Sequence, residues 1–407
     1  MLRVAVEKIQ RGMILARPIP LPTDPFRYLL QRDIEIPIDL KPRLKQLGIH
    51  EVWVRCRDLE FLEHVIDEEL CEQQRQLYCQ VRKNFEQVMR SSVSVVDIDV
   101  AHFQNSISSL FHFLKSSSFG SVMLQKLDAF DNYLMSHSTN VCYVALLIGM
   151  KLERYIIQER SLLKPKDAKD LRHLGLGCLL HDIGKMRIPL EILNKPGKLT
   201  PEEFEVMKTH PTIGYEMLRG QAPPAAAQVV LNHHQRWDGK GYPGRADQAS
   251  GQMFPPMVAR QIPIFCRIAT MADIYDAATT KRVYSQAKPS VQVLHEMRTW
   301  CKGAFDPLVE QAFYEVIPAF PIGQTVRLSN GIEAVVVDFN PRFPVSPKVQ
   351  CVRTPSGEPF ADPSQEEIDL ALYPDLDVVE VDGIDVRPYL DIQRSRPVSQ
   401  LDPMLVG

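Results

Sequence analysis

A histidine and an aspartate stand next to each other at positions 181 and 182, directly after the apolar stretch LGLGCLL. On one helical turn the two side chains can both lean towards one metal ion, and the carboxylate keeps a second oxygen with which to bridge another. A His-Asp pair at the end of a buried helix also has polarity that a partner must satisfy. Taken alone, such a pair is more often a surface or capping pair, so the prediction of a metal site needs further ligands.

Four other segments supply side chains of the same two types. His210 opens HPTIG, His233 and His234 follow the apolar stretch AAAQVVLN, and His137 lies in DNYLMSHSTNV. Asp273 lies in the almost wholly apolar IFCRIATMADIYDAATT, where a carboxylate is costly unless it meets a cation. Imidazole and carboxylate ligands without thiolate suit iron, manganese or zinc-like ions. The spacing therefore predicts a metal centre assembled from five helical segments.

The motifs HDIGK, HPTIG, HHQRWDGKGYP and ADIYDA occur in this order along the chain. In that order they resemble the HD-GYP domain, a branch of the HD phosphohydrolase superfamily, over roughly residues 120–320. The resemblance is specific because several spaced motifs must coincide. It implies an all-helical catalytic domain with clustered metal ions that hydrolyses the bacterial second messenger cyclic di-GMP.

The resemblance also implies which side chains bind metal. The implied ligands are His137, His181, Asp182, His210, His233, His234 and Asp273. Asp182 would bridge two ions, and two divalent transition-metal ions, with iron or manganese favoured, can stabilise both the attacking and the leaving oxygen at phosphorus. Tyr133 stands where members with three metals carry a glutamate, which favours two ions. Asp276 is expected to support the site by hydrogen bonding.

Contacts to the substrate are implied at three places. Lys185, in HDIGK, is expected to act in catalysis by offsetting negative charge on phosphate. Gly241, Tyr242 and Pro243 belong to a tight loop in which Tyr242 stacks on guanine or bonds a phosphate, although a purely structural turn is an alternative. Arg282 and Tyr284 resemble the basic segment that follows the last ligand in the family, where arginine can clamp phosphate.

Two further departures from the family pattern leave the function open. Gln235 replaces the usual glutamate after the double histidine, which removes an acceptor near the ligands. Ser285 stands where a second basic residue is usual, which removes one phosphate contact. The full ligand set favours hydrolysis to linear pGpG or GMP. The alternatives are a cyclic di-GMP sensor or protein-docking module with weak turnover, and a hydrolase of another nucleotide.

The flanking sequence predicts a multidomain, mainly helical protein. Residues 1–60 are expected to form a small α+β module, because RVAVEKI and HEVWVR alternate and KPRLKQLGI is typical of a short helix ending at Gly48. RGMILARPI and LKQLGIHEVWV also resemble the accessory module often found before such domains. Residues 61–119 are expected to form a helical connector, since 61–90 contain neither glycine nor proline. The long helix either links two modules or packs on its own domain.

The catalytic domain is predicted at 120–320 and a β-rich module with a loose tail at 321–407. In the latter, Asn330-Gly331 is typical of a hairpin turn and PKVQCVRT of a strand. Before it, Asp306 is expected to cap a helix that begins at Pro307. The predicted helical stretches lie near 120–158, 167–182, 201–219, 222–234, 256–280 and 289–317.

Composition limits the class of protein. The 407 residues are 45% hydrophobic and carry a net charge of −3, so neither nucleic acid nor an anionic membrane is predicted as a partner. The apolar run VCYVALLIGM is about half the ~20 residues that a membrane span needs and predicts a buried helix. Eight scattered cysteines without a C-x-x-C pair suit a reducing cytoplasm. The GYP loop or the N-terminal module could contact protein partners, and the helical connector is compatible with a homodimer.

Overall fold

The chain divides into an N-terminal α+β part, a helical middle and a C-terminal antiparallel sheet. The computed structural model describes residues 2–21, 24–47, 49, 51–55, 76–83, 85–86, 100–116, 133–246, 253–280, 288–360 and 366–394. The helical middle and the β-rich end agree with the architecture predicted from the sequence.

The N-terminal part has a small hydrophobic core of its own. Its elements are β1 (Leu2–Ala5), β2 (Ile19–Leu21), β3 (Asp24–Leu30), α1 (Lys41–Gln46) and β4 (Glu51–Val54). β1 pairs antiparallel with β4, and β2 pairs antiparallel with β3. Val6, Leu15 and Leu44 are fully buried in this core. The predicted strand at 52–54 and the predicted short helix are confirmed, whereas Gly48 lies outside the described residues.

Helices build the middle of the chain. They are α2 (Val100–Ser116), α3 (Tyr133–Lys151), α4 (Glu153–Glu159), α5 (Pro165–Ala168), α6 (Arg172–Leu180), α7 (Leu190–Leu193), α8 (Pro201–Met207), α9 (His210–Leu218), α10 (Pro224–Asn232), α11 (Ile264–Thr279), α12 (Ser290–Trp300) and α13 (Pro307–Val316). A two-stranded ribbon of β5 (Arg245–Ala246) and β6 (Met253–Phe254) lies between α10 and α11.

Within the described residues, the predicted helical stretches are confirmed as shorter or divided elements, whereas residues 120–132 of the first stretch are not described. The stretch near 289–317 is two helices, because a turn that contains Gly303 at φ +79° separates α12 from α13. The stretch near 256–280 is helical mainly from Ile264, since Pro263 precedes the first turn. Of the predicted connector helix at 61–90, residues 76–83 and 85–86 are described and helical.

α3 lies at the centre of the core. Residues 141–149 of this helix are all buried, so the run VCYVALLIGM is the core helix that its length predicted. It packs against α6, which ends two residues before Asp182, and against α11, which carries Asp273 in its middle. None of the helices in the described ranges is both long and apolar enough to cross a membrane.

Three glycines let other elements approach the HDIGK segment closely. A Cβ atom at Gly175 would lie 2.8 Å from Ile107 of α2, and one at Gly177 would lie 2.5 Å from Val229 of α10. Gly184, in the 3₁₀ turn Ile183–Arg187, packs so tightly on α9 that a Cβ atom would collide with the carbonyl oxygen of His210. This last contact fixes the distance between residue 182 and residue 210.

A buried arginine joins three helices behind the same region. Arg267 of α11 donates to the carboxylate of Asp306 at 2.5 Å and to the hydroxyl of Tyr155 at 2.8 Å, and it pairs with Glu159. Asp306 also accepts a hydrogen bond from the amide of Leu308 at 2.9 Å, so the predicted cap of α13 is confirmed. The pairing of this charge within the core holds α4, α11 and α13 together.

The C-terminal part is a six-stranded antiparallel sheet. Its strands are β7 (Thr325–Leu328), β8 (Glu333–Asp338), β9 (Lys348–Arg353), β10 (Glu367–Asp369), β11 (Val378–Val381) and β12 (Ile384–Asp385), in the order β10-β9-β8-β7-β11-β12. The predicted hairpin is confirmed, with Gly331 at φ +88° and the side chain of Asn330 accepting from the amide of Ile332. The predicted loose tail lies after residue 394, outside the described residues.

Gly184 offers a test of the tight contact between the 3₁₀ turn and α9. We expect Gly184→Ala to lower the free energy of unfolding by about 1–3 kcal/mol, because the added methyl group meets backbone that cannot move aside. Gly149→Ala is the matched control, since the nearest atoms to its Cβ would be the methyl tips of Leu171 and Leu174, at 3.0–3.2 Å. Urea titration of both variants measures the difference; equal effects would contradict this packing.

Candidate metal centre

Seven side chains from separate segments converge in the helical middle. Their possible ligand atoms fall into two groups, each lying within 4.8 Å of one another: Asp182, His210, His233 and His234 in one, and His137, His181 and Asp273 in the other. All are buried except His234, which is half-buried. These are the residues that the sequence predicted to be metal ligands, and the structure brings all seven together.

The carboxylate of Asp182 lies between the two groups. Its Oδ1 is 3.3 Å from Nε2 of His210 and 3.9 Å from Nε2 of His233. Its Oδ2 is 3.4 Å from Nε2 of His181 and 3.7 Å from Nε2 of His137. One carboxylate oxygen therefore faces each group, which is the geometry that a bridging ligand needs.

Local backbone geometry aims three of the histidines at this carboxylate. Nδ1 of His181, His210 and His233 lies 2.7–2.8 Å from the carbonyl oxygen three residues earlier in each case. These carbonyls belong to the last turns of α6, α8 and α10, where helical carbonyls lack partners within the helix. Each imidazole thus donates to a helix end through Nδ1 and directs Nε2 to the centre, where a neutral ring can bind a cation.

This arrangement fits a bound cation. Nε2 of His210 and Nε2 of His233 face each other across 3.3 Å, and burial holds the pKa of His233 well below its usual value, so that this ring is neutral. Both rings face the carboxylate of Asp182. Nε2 of His181 and Oδ1 of Asp182 are buried and make no hydrogen bond within the described residues. Such buried acceptors are costly unless a positive ion lies between them, and nitrogen and oxygen donors suit a divalent transition metal.

The ionisation of the cluster agrees with that fit. Burial raises the pKa of Asp182, but the neighbouring His181 and Lys185 side chains outweigh it and hold the pKa well below its usual value. Burial likewise raises the pKa of Asp273, and the hydrogen bond from His137 more than reverses the effect. Burial lowers the pKa of His234 to about 3, which leaves this imidazole neutral. Ionised carboxylates beside a neutral imidazole form an anionic donor set.

His137 is held by two carboxylates at once. Its Nδ1 donates to Oδ2 of Asp276 at 2.7 Å, and its Nε2 lies 3.0 Å from Oδ1 of Asp273. Burial lowers the pKa of His137, but these two hydrogen bonds outweigh it and raise the pKa to about 9. Asp276 therefore orients a histidine from outside the ligand cluster, as predicted. Such a carboxylate fixes the ring and strengthens the histidine as a ligand.

Lys185 reaches back to the bridging carboxylate. Its ammonium donates to Oδ2 of Asp182 at 2.6 Å, and its side chain is about one-fifth exposed. The 3₁₀ turn that follows Asp182 sets this contact, because it places the two residues on the same side. Lys185 consequently lies at the boundary between the ligand cluster and solvent.

The GYP loop packs against the ligand group that contains His234. The ring of Tyr242 stacks on His234 with centroids 4.6 Å apart, and its amide donates to the carbonyl of His234. A Cβ atom at Gly241 would collide with that same carbonyl, so only glycine allows this approach. Burial and the nearby Asp273 and Asp182 raise the pKa of Tyr242, which keeps its hydroxyl protonated as a donor.

Gln235 is the residue that sequence reasoning interpreted incompletely. Its Nε2 donates to the carbonyl of Pro243 at 2.8 Å, and its Oε1 accepts from the amide of Met257 at 3.1 Å. A glutamate could not make both bonds while ionised. The amide therefore holds the GYP loop against the segment before α11, whereas the sequence indicated only that an acceptor is lost with the usual glutamate. Asp238 braces the same loop by accepting from the amide of Lys240.

Comparison with known proteins shows what this cluster is similar to. A family model described as "HD domain" matches residues 146–309, which contain six of the seven clustered residues. The middle of the chain is thus similar to the HD domain. A second model, described as "KOW domain associated with HD domain", matches residues 325–384 and coincides with the C-terminal sheet.

Curated proteins are similar to part of the chain. A protein named cyclic di-GMP phosphodiesterase PA4108, from Pseudomonas aeruginosa, is 34% identical over 62% of this chain and 56% of its own length. A cyclic di-GMP phosphodiesterase from Thermotoga maritima is 41% identical over 34% of this chain and 35% of its own. A 3'3'-cGAMP-specific phosphodiesterase from Vibrio cholerae is 34% identical over 33% of this chain and 24% of its own. The chain thus spans little more than half of these relatives at most.

Part of the segment that was predicted to contact the substrate lies outside the described residues. Arg282, Tyr284 and Ser285 fall within 281–287, outside the described residues. Tyr133 is the first residue of α3, but its side chain is not described, so the count of metals inferred from it stays a prediction. By contrast, Lys185, Gly241, Tyr242 and Pro243 all lie beside the ligand cluster.

Phe204 lies close to the ligand cluster, although no sequence motif singled it out. It lies on α8 and meets the ring of Tyr242 edge to face, with centroids 6.3 Å apart. No motif contains it, and PEEFEVM is an ordinary helical sequence. Only the fold brings it within reach of residue 242.

Replacement of Asp276 tests whether it prepares His137 to bind metal. We expect Asp276→Asn to weaken divalent metal binding about 10- to 100-fold, because the amide keeps the shape and loses the charge that orients the ring. Asp391→Asn is the matched control, since Asp391 accepts from Nδ1 of His295 at 2.6 Å far from the cluster. Competition with a chromogenic chelator under anaerobic conditions measures both affinities; equal values for D276N and wild type would contradict the role.

Replacement of Gln235 tests the loop contact. We expect Gln235→Glu to speed amide hydrogen exchange over residues 236–243 and to lower stability by about 1–3 kcal/mol, since the Pro243 carbonyl loses its donor. Gln228→Glu is the matched control on α10, because its Oε1 only accepts, from Asn232, and a carboxylate preserves that bond. Unchanged exchange in Q235E would show that the amide does not hold the loop.

Proposed function

We propose that this chain is a metal-dependent phosphodiesterase that hydrolyses cyclic di-GMP to linear pGpG or GMP. The observation that carries the proposal is the carboxylate of Asp182, which directs one oxygen to each of two ligand groups. A structural site needs one ion with a closed shell, whereas two adjacent ions suit hydrolysis at phosphorus. The names of the curated relatives supply the substrate class.

Asp182, His210, His233 and His234 would hold one ion, and His137, His181 and Asp273 would hold the other, with Asp182 shared. Iron and manganese suit these donors. When bound, such a pair supplies Lewis acidity to the phosphoryl oxygens and lowers the pKa of a water molecule towards neutrality. In the net reaction water adds to phosphorus, the P–O bond to one ribose breaks, and the released ribose oxygen gains a proton.

The residues around the ions would prepare the substrate. The ammonium of Lys185 lies close enough to Asp182 to contact a phosphoryl oxygen held at the ions and to offset its charge. The hydroxyl of Tyr242 is protonated and can donate to phosphate, while its ring can meet a base. Arg282 and Tyr284 are proposed as further phosphate contacts, on the resemblance alone.

The wider assignments follow from the same proposal. We place the catalytic domain at residues 120–320 and the protein in the cytoplasm, where cyclic di-GMP is made and degraded. The GYP loop and the module of residues 1–60 are proposed surfaces for protein partners, and a homodimer is compatible with the connector. The relative from Vibrio cholerae named as specific for 3'3'-cGAMP makes that dinucleotide the second candidate substrate.

The decisive experiment pairs metal analysis with turnover. Full-length protein purified anaerobically is expected to hold two equivalents of iron or manganese per chain and to convert cyclic di-GMP to pGpG or GMP. A panel with 3'3'-cGAMP and pGpG identifies the preferred nucleotide. Metal-replete protein that binds cyclic di-GMP without turnover would overturn the enzyme and favour the sensor; preference for 3'3'-cGAMP would replace the substrate.

Asp182→Asn tests the bridging role directly. We expect the amount of metal bound per chain to fall below two equivalents, because the amide can neither bridge nor neutralise two ions. We expect kcat to drop by more than the roughly 100-fold that is lost when a residue that only orients a ligand is replaced. Asp170→Asn is the control, since Asp170 pairs only with Arg172 near the start of α6. Retention of two ions and near-normal kcat in D182N would reject the assignment.

A further inference from the structure

One large apolar ring remains exposed beside the proposed site. The side chain of Phe204 is 46% exposed, although aromatic rings of this size usually contribute to cores. It lies on the rim of the GYP loop, and its neighbour Tyr242 is stacked on a proposed metal ligand. The ring is therefore exposed next to the proposed site, where a bound substrate can contact it.

The helix that carries Phe204 is firmly held. Thr200 and Glu203 form a reciprocal capping box, in which each side chain accepts from the other's backbone amide, at 3.3 and 2.7 Å. The ammonium of Lys195 also pairs with Glu203 at 2.5 Å, which ties the preceding loop to the first turn. The ring is therefore presented by a well-capped helix and not by a frayed end.

Three rings lie in a row from the ligand cluster outward. His234 and Tyr242 are stacked at 4.6 Å, and Tyr242 meets Phe204 edge to face at 6.3 Å, with an angle of 80°. The rings of Tyr242 and Phe204 are thus nearly perpendicular to each other, next to the ligand cluster. The ammonium of Lys208 lies 5.5 Å from the centroid of Phe204 and adds positive charge to the rim.

We propose that Phe204 is a substrate-positioning residue that stacks on one purine base of the cyclic dinucleotide while a phosphodiester of the same molecule lies at the metal centre. The inference rests on the proposed function and extends it to base recognition. Flat heterocycles stack on aromatic side chains whatever their sequence. Lys208 favours guanine, whose O6 and N7 both accept hydrogen bonds, over adenine, whose exocyclic amine donates.

A protein partner would need a broader surface. The nearest exposed apolar side chain on α8 is Val206, a single small residue at 37% exposure, and the same turn carries the ion pair of Lys208 with Glu205. One aromatic ring within a charged rim matches a single base better than an apolar interface, which is larger and poor in charge at its centre.

Steady-state kinetics of metal-replete full-length protein test the proposal. Phe204→Ala is expected to raise KM for cyclic di-GMP about 5- to 100-fold, the effect of losing one stacked base, with kcat little changed. Phe204→Trp should keep KM close to the wild-type value, because a larger ring stacks at least as well. Val206→Ala is the matched control on the same helix and should leave both constants unchanged.

A phosphodiester without a purine separates stacking from damage to the site. A phosphodiester between methanol and an abasic ribose needs the ions and has no ring to stack, so F204A and wild type should hydrolyse it equally. An unchanged KM for cyclic di-GMP in F204A, or an equal loss with both substrates, would overturn the proposal. If wild-type protein fails to hydrolyse cyclic di-GMP, the proposed function fails instead. Calorimetric binding of GMP then decides on Phe204: weaker binding to F204A supports stacking, and equal binding rejects it.

Discussion

The arrangement of the helical middle depends on one buried anion, the carboxylate of Asp182, which faces imidazole nitrogens on both of its oxygens. A buried carboxylate is costly unless positive charge lies close to it. Lys185 supplies part of that charge from the rim, and a bound divalent ion would supply more. The convergence of α3, α6, α9, α10 and α11 on this point therefore couples the stability of the domain to its capacity to hold metal.

Helix ends, rather than loops, give the ligands their precision. Each of His181, His210 and His233 bonds a carbonyl three residues earlier, so its ring direction is fixed by the end of a helix. Helices pack rigidly, and glycines such as Gly184 set how closely their ends approach. The same bonds satisfy carbonyls that a helix leaves unpaired. The same hydrogen bond thus stabilises the helix end and orients the ligand. For this reason a short sequence motif contains most of the information that positions its histidine.

The sequence predicted which seven side chains meet in one cluster, because histidine and aspartate are costly in apolar surroundings unless they meet a cation and because their motifs follow a known order. It also indicated that Asp276 supports the ligands. It could not reveal the two bonds of Gln235 to Pro243 and Met257, since these depend on how a loop folds back over 22 residues. Phe204 was equally hidden: nothing in a capped amphipathic helix states which distant ring it will meet. Contacts across the fold, unlike residue types, have no local signal.

The same packing links the flanking parts of the chain to the centre. α2 lies directly on α6, where Ile107 fills the space that Gly175 leaves open, six residues before His181. Trp53 of the N-terminal part fills the corresponding space at Gly323, at the start of the C-terminal sheet. Close-packed interiors have little room to yield, so a displacement of α2 along Ile107 must either shift α6 or open a void. Because α6 ends at the Asp182 carboxylate, the first of these outcomes changes the spacing of the two ligand groups, and the second costs stability. The connector and the metal centre are in this sense one mechanical unit.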